Sequence, residues 1–211
     1  MLLQKVLTRS NKTDLYLDLI ELISGLLLVG FLWTHMLFVA TILISQEMFN
    51  TLAEFLDTYY LSYVGIPFIL VVALFHFVIA GRRIPTRIQE QKIVWQHAKM
   101  LKHFDTWTWV FQAVTGMAIL VLASIHVWVV LADWPIHAMT SADRMEAFWW
   151  YYLALLILGE YHAGFGLYRQ FVKWGWFRRR PVGHVIKVIT AIILILGLAA
   201  MVVFVRLGGG A

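Results

Sequence analysis

Five long apolar stretches, parted by short polar segments, govern what this chain can fold into. They cover residues 22–46, 58–81, 106–132, 147–168 and 188–205, and only the fourth encloses an acid, Glu160. A membrane's hydrocarbon core takes about 20 residues of helix to cross. Lipid offers no partner to backbone N–H and C=O groups, so each stretch must close its own hydrogen bonds as a helix. The expected fold class is therefore all-α: one integral membrane bundle of five transmembrane helices filling residues 1–211. Composition agrees, since 61% of residues are hydrophobic and 14% charged, outside the balance of soluble domains. The first stretch is about twice as long as a signal-peptide core and has no small-residue cleavage site, so it is expected to stay as a span. No internal repeat is expected beyond a terminal glycine run, Gly208 to Gly210.

The net charge of +5 sits at the ends of these stretches, which reads as topology and not as nucleic-acid binding. Lys5, Arg9 and Lys12 precede the first span. Arg82, Arg83, Arg87, Lys92, Lys99 and Lys102 follow the second, and Arg169, Lys173, Arg178, Arg179, Arg180 and Lys187 follow the fourth. With five crossings these fifteen share one side, against Arg144 and Arg206 on the other. Positive charge stays inside, so the N-terminus is expected in the cytoplasm and the C-terminus on the outer side of a multi-pass membrane protein. Trp107, Trp109, Trp174 and Trp176 at one interface and Tyr59, Tyr60, Trp134, Trp149 and Trp150 at the other form aromatic belts consistent with that arrangement.

Four of the eight histidines lie inside spans, one each: His35, His76, His126 and His162. An ionisable side chain at membrane depth is costly and marks a candidate site, as a ligand, proton relay or ion site. Taken singly, each is equally a neutral imidazole bonded to a neighbouring helix. Depth sorts them. His76 lies six residues before Arg82 and His162 seven before Arg169, so both sit about 10 Å from the cytoplasmic charges. His126 lies seven residues before Asp133, and His35 about 21 Å along its helix from Glu21, which puts both in the outer half. Two imidazoles from different helices at one depth suit a haem held edge-on to the membrane, so two levels predict two b haems. With no cysteine in the chain, an iron–sulfur cluster or covalent haem of its own is excluded. Gly25, Gly30, Gly116, Ala123, Gly164 and Gly166 lie near these histidines and read first as close helix packing. His97, His103, His137 and His184 fall in loops or at span ends. Glu160, two residues before His162, is turned about 200° from it around the helix, as suits a proton relay beside a haem.

Three segments carry a resemblance: GLLLVGFLWTHMLFVATIL around His35, DTWTWVFQAVTGMAILVLASIHVW around His126 and EYHAGFGLYRQFVKWGWF around His162. Together they resemble the dihaem cytochrome b subunit of quinol:fumarate reductases of the epsilonproteobacterial and sulfate-reducer type, over nearly the whole chain. The resemblance implies a membrane anchor for a flavoprotein subunit with FAD and an iron–sulfur subunit, both on the cytoplasmic face, assembled as a dimer of heterotrimers. It implies menaquinol as substrate, with electrons passing between menaquinone and the fumarate/succinate couple. His76 and His162 match the axial ligands of the proximal haem, and His35 and His126 those of the distal haem. Trp109 and Lys173 match contacts to the proximal propionates, Glu160 an intramembrane proton-relay glutamate, and Asp57, or Glu54 with a small shift, the acid that serves menaquinol. The family's polar propionate contacts early in the first helix fall at Glu21 and Leu22. Two other readings stay open: a haem b anchor of another respiratory oxidoreductase, and a proton-coupled transporter using the same histidines without haem.

Overall fold

A computed structural model describes residues 12–101 and 103–210, apart from the side chain of Asp105. Among them are eight α-helices and no strand: α1 (Lys12–Ala40), α2 (Gln46–Thr58), α3 (Leu61–Gly81), α4 (Ile88–Leu101), α5 (Phe104–Ala132), α6 (Ala138–Ala147), α7 (Trp149–Lys173) and α8 (Arg179–Gly208). Lys5, Arg9 and Lys102, counted above for topology, lie outside the described residues.

Four helices are long and apolar enough to cross a membrane: the first, prolonged by a 3₁₀ turn to Leu43, and those at Leu61–Gly81, Thr106–Ala132 and Arg179–Gly208. The 25-residue α7 has the length, but Glu160, His162 and its tyrosines dilute its apolar character. Their large side chains face outward where lipid is the expected solvent; Val64, Leu74 and Trp128 are all well exposed on the isolated chain.

Packing follows from which faces are apolar or small. Four helices close a ring, α1 against α3, α3 against α5, α5 against α7 and α7 against α1, with α8 laid along α1 and α7. The inward stripe of α8 is Val182, Ile186, Thr190, Ile193, Gly197, Ala200 and Phe204, spaced three or four residues apart as one helical face requires. Gly197 lets α8 approach closely, for a Cβ there would lie 2.8 Å from both Leu156 Cδ1 and Met36 Cε.

The short helices α2, α4 and α6 occupy segments read above as loops. In α2 the hydrophobic stretch is interrupted at Ser45, whose Oγ accepts from the Met48 N–H at 3.0 Å and caps a new helix. Phe49 and Ala53 then face inward, and Asn50 Oδ1 accepts from the Ala138 N–H at 2.8 Å, tying α2 to α6. Alternation of apolar and polar residues at helical spacing was available in these segments, but they are too short to register as spans. The first span accordingly ends at Leu43, before the 46 expected, and α8 begins nine residues earlier than its apolar part.

The end of the bundle that carries α4 is held by ions. Asp18 pairs with Arg82 and Lys173, each at 2.7 Å, and with Arg83; Glu21 accepts from Arg82 at 3.2 Å and from Gln170 at 3.2 Å. These contacts join α1, α3 and α7. There α7 stops in a Schellman turn: Gly175 takes φ 69°, the Trp176 N–H reaches the Phe171 carbonyl at 3.1 Å and the Gly175 N–H that of Val172 at 3.2 Å.

Candidate functional site

The ring of four helices has two diagonals, and the span histidines lie on them. His35 on α1 and His126 on α5 form one pair, His76 on α3 and His162 on α7 the other. All four are partly buried. The His35 and His126 ring centres are 6.1 Å apart at 67°, with Phe31 stacked on His35 and Tyr152 edge-on to His126. Nδ1 of His126 is buried and has no hydrogen-bond partner among the described residues.

The other pair is held differently. His76 Nδ1 lies 3.0 Å from Ser24 Oγ on α1, and His162 Nδ1 lies 2.9 Å from Thr115 Oγ1 on α5. Beside each hydroxyl is a glycine against the same ring: a Cβ on Gly25 would come within 3.3 Å of His76 Cε1, and one on Gly116 within 3.1 Å of His162 Cε1. Gln112 donates to the His162 carbonyl at 3.0 Å and so adds a second tie between α5 and α7. The other glycines named above do not share this role. Gly30 meets nothing within 4 Å, whereas Gly164 and Gly166 make room for Thr190 and Gln112.

Helix geometry now gives the two levels a second measure. Ser24 and His35 are eleven residues apart on α1, and Thr115 and His126 are eleven apart on α5. Eleven residues make three turns and about 16 Å of rise, so each helix presents both groups on nearly one face at separate depths. A hydroxyl–glycine pair eleven residues before a histidine thus occurs on both helices. Its signal was the equal spacing in SGLLLVGFLWTH and TGMAILVLASIH.

Glu160 is completely buried, and neither carboxylate oxygen has a hydrogen-bond partner among the described residues. The indole of Trp33 lies beside it, yet Trp33 Nε1 is also unpartnered, so the two face each other without a hydrogen bond of normal geometry. Glu160 points toward α1, and the His162 ring toward Thr115 on α5. Lys173 is engaged with Asp18 at 2.7 Å, and Trp109 is partly buried on α5 six residues before Thr115. On α2, Asp57 is partly buried and Glu54 exposed. Near the α6 end an open cleft of about 530 Å³ is lined by Asp133, Trp134, His137 and Arg144, with Asp57 and Glu54 outside it. Arg144 bridges that cleft to Asp133 at 2.7 Å. Of the remaining histidines, His97 and His184 are within α4 and α8, and His103 and His137 precede α5 and α6 as cap residues.

Chemically, no three His, Cys, Asp or Glu side chains converge on one point among the described residues, so a bare metal ion has no cage. Paired imidazoles suit a metal whose other ligands come from a planar macrocycle. Two imidazoles bonded to one metal at about 2 Å place their ring centres about 6 Å apart, close to the separation of His35 and His126. The unpartnered His126 nitrogen and the glycines against His76 and His162 fit such a group as well.

A helical membrane bundle with imidazoles paired across its interior fits a class, the membrane subunits of respiratory oxidoreductases. Within it, the family model of the succinate dehydrogenase/fumarate reductase transmembrane subunit matches residues 88–204, more than half of the chain. The chain belongs to this family, and is a multi-pass protein of the bacterial inner membrane. It is 32% identical to the fumarate reductase cytochrome b subunit of Helicobacter pylori, covering 94% of this chain and 84% of the relative. Against the protein of that name in Wolinella succinogenes it is 30% identical, covering 95% and 85%. The succinate dehydrogenase cytochrome b558 subunit of Bacillus subtilis is 25% identical, over 79% of this chain and 83% of the relative.

Proposed function

We propose that this chain is the membrane anchor and electron-transfer subunit of a menaquinol:fumarate reductase, a succinate:quinone oxidoreductase, in which it forms one domain with five crossings. Its N-terminus is cytoplasmic and its C-terminus periplasmic, so the α4 end, rich in arginine and lysine, meets the flavoprotein and iron–sulfur subunits. The observation that carries this reading is the pair of imidazole diagonals, set about three helical turns apart on α1 and α5.

His76 and His162 hold the proximal b haem, and His35 and His126 the distal one. When bound, the haems supply one-electron carriers between a two-electron quinol and the clusters of the partner subunit. Having no cysteine, the chain leaves those clusters to the iron–sulfur subunit, and the FAD belongs to the flavoprotein subunit. Trp109 and Lys173 would contact the proximal haem's propionates, with Lys173 then released from its pairing with Asp18. Menaquinol binds at the opposite end, where a carboxylate oxygen of Asp57, or of Glu54 beside it, takes up one of its two protons at a time and passes it to the outer water. Glu160, buried with neither carboxylate oxygen hydrogen-bonded among the described residues, holds and passes a proton inside the bundle.

The complex is expected to reduce fumarate with a menaquinol analogue. A purified complex carrying both haems that accepts no electrons from quinol would refute the quinol assignment.

A further inference from the structure

We propose that the face of α8 turned away from the bundle binds the headgroup of an anionic phospholipid, through a row formed by Arg180, His184 and Lys187. The inference needs only that α8 crosses the membrane, and it is independent of the haem and quinol assignments.

Helical spacing fixes where these side chains sit. The inward stripe of α8 runs through Val182, Ile186, Thr190, Ile193 and Gly197. At 100° per residue, Arg180, His184 and Lys187 fall within about 60° of one another, and their mid-line lies about 130° around the helix from that stripe. All three are exposed. The same face continues through Ala191, Ile195, Leu198 and Val202, every one exposed, and ends at Arg206. An exposed apolar face on a spanning helix looks onto lipid. The basic row therefore opens on lipid as well.

Depth agrees with direction. Lys187 and Arg206 are nineteen residues apart, or about 29 Å of helix. That matches the roughly 30 Å of a hydrocarbon core, so the two charges mark its edges. His184 and Arg180 then stand about 5 and 10 Å further out, among the headgroups. Trp176 and Phe177, exposed in the turn before α8, are aromatic residues at that same interface.

Charge points to the occupant. No acid follows Glu160 in the chain, and no ion pair among the described residues engages Arg180, His184 or Lys187. His184 Nδ1 donates to the Arg180 carbonyl at 2.8 Å, which holds the ring at a depth between the two cations. A lipid phosphate carries the complementary charge at this level. A topology signal asks only that basic residues share one side of the membrane, not that they form a row on the lipid-facing side of one helix. A protein capping this end of the bundle would lie over α4 and the ions around Asp18, whereas the row looks sideways into the leaflet.

The test is native mass spectrometry of the assembled complex released from nanodiscs of equal parts phosphatidylglycerol and phosphatidylcholine. Phosphatidylglycerol is expected to stay bound in preference to phosphatidylcholine. Joint replacement of Arg180→Gln, His184→Gln and Lys187→Gln is expected to lower bound phosphatidylglycerol about tenfold, the scale of two juxtamembrane cations. Arg180→Lys with Lys187→Arg keeps both charges and should retain the lipid. So should Lys92→Gln with Lys99→Gln, which removes two charges from α4. A wild type without lipid preference would overturn the proposal, as would a triple variant that binds like the wild type or an equal loss from the α4 variant. Displacement of the lipid by inorganic phosphate alone would make this a free-phosphate site and also overturn it. Should the triple variant fail to assemble, Arg180→Gln and Lys187→Gln taken singly carry the test: each is expected to lose lipid several-fold, and loss from neither refutes the site.

Discussion

His35 and His126 come from helices on opposite corners of the bundle, yet their ring centres lie 6.1 Å apart. Ring closure through α3 and α7 brings them to this distance, because α1 and α5 each pack on both of the other two helices. The pair is thus a product of the whole bundle.

The first prediction concerns that pair. His35→Ala or His126→Ala is expected to lose one haem equivalent and retain the other, since the inner imidazoles are held by Ser24 and Thr115 three turns away. The haem-to-protein ratio of each purified variant checks this. Unchanged ratios would remove the altered residue from the ligand set.

Glu160 is buried with both oxygens unpartnered, so Glu160→Gln, which keeps shape and removes the titrating proton, is expected to leave folding and haem content intact. Quinol-dependent turnover should fall on the order of a hundredfold, the scale of a lost proton-transfer group. Turnover and haem content measured together separate this from structural damage.

At the other end, Asp57 is partly buried and Glu54 exposed. Asp57→Asn is expected to slow quinol oxidation while chemical reduction of the haems proceeds as in the wild type. Glu54→Gln should leave both rates unchanged. The reverse result would transfer the proton-accepting role to Glu54.

A packing prediction is independent of cofactors. A Cβ on Gly208 would lie 2.5 Å from the Ala142 carbonyl oxygen, a backbone atom of α6. Gly208→Ala is therefore expected to destabilise the α6–α8 contact by about 1–3 kcal/mol, the usual cost of overpacking. Gly30→Ala meets nothing within 4 Å and serves as the control. Thermal unfolding in detergent compares the two.

Much of the architecture was legible in the sequence because lipid leaves a hydrophobic stretch few choices. The cores of the long helices fall on the five apolar stretches, and the depth count grouped the histidines by the same diagonals that the helix ring presents. The short helices were hidden, since α2 and α6 depend on a cap at Ser45 and a tie from Asn50, signals carried by single polar residues. Helix ends were also misread where charge stops a hydropathy stretch but not a helix, as at Arg179 to Lys187 in α8. The hydroxyl–glycine pairs were present as SG and TG, but nothing local distinguishes them from ordinary helix packing. Only the matching eleven-residue distances to His35 and His126 give them away. The place of Lys173 was legible as a charge at a helix end, but its pairing with Asp18, 155 residues earlier in the chain, follows from the fold alone.

The central claim is that this chain holds two b haems, one on each diagonal. The most direct measurement is the haem-to-polypeptide ratio of the purified complex, taken with its reduced-minus-oxidised spectrum. Two haems per copy of this chain, with a b-type α-band, is the predicted result. A ratio of one, or no b-type band, would contradict it.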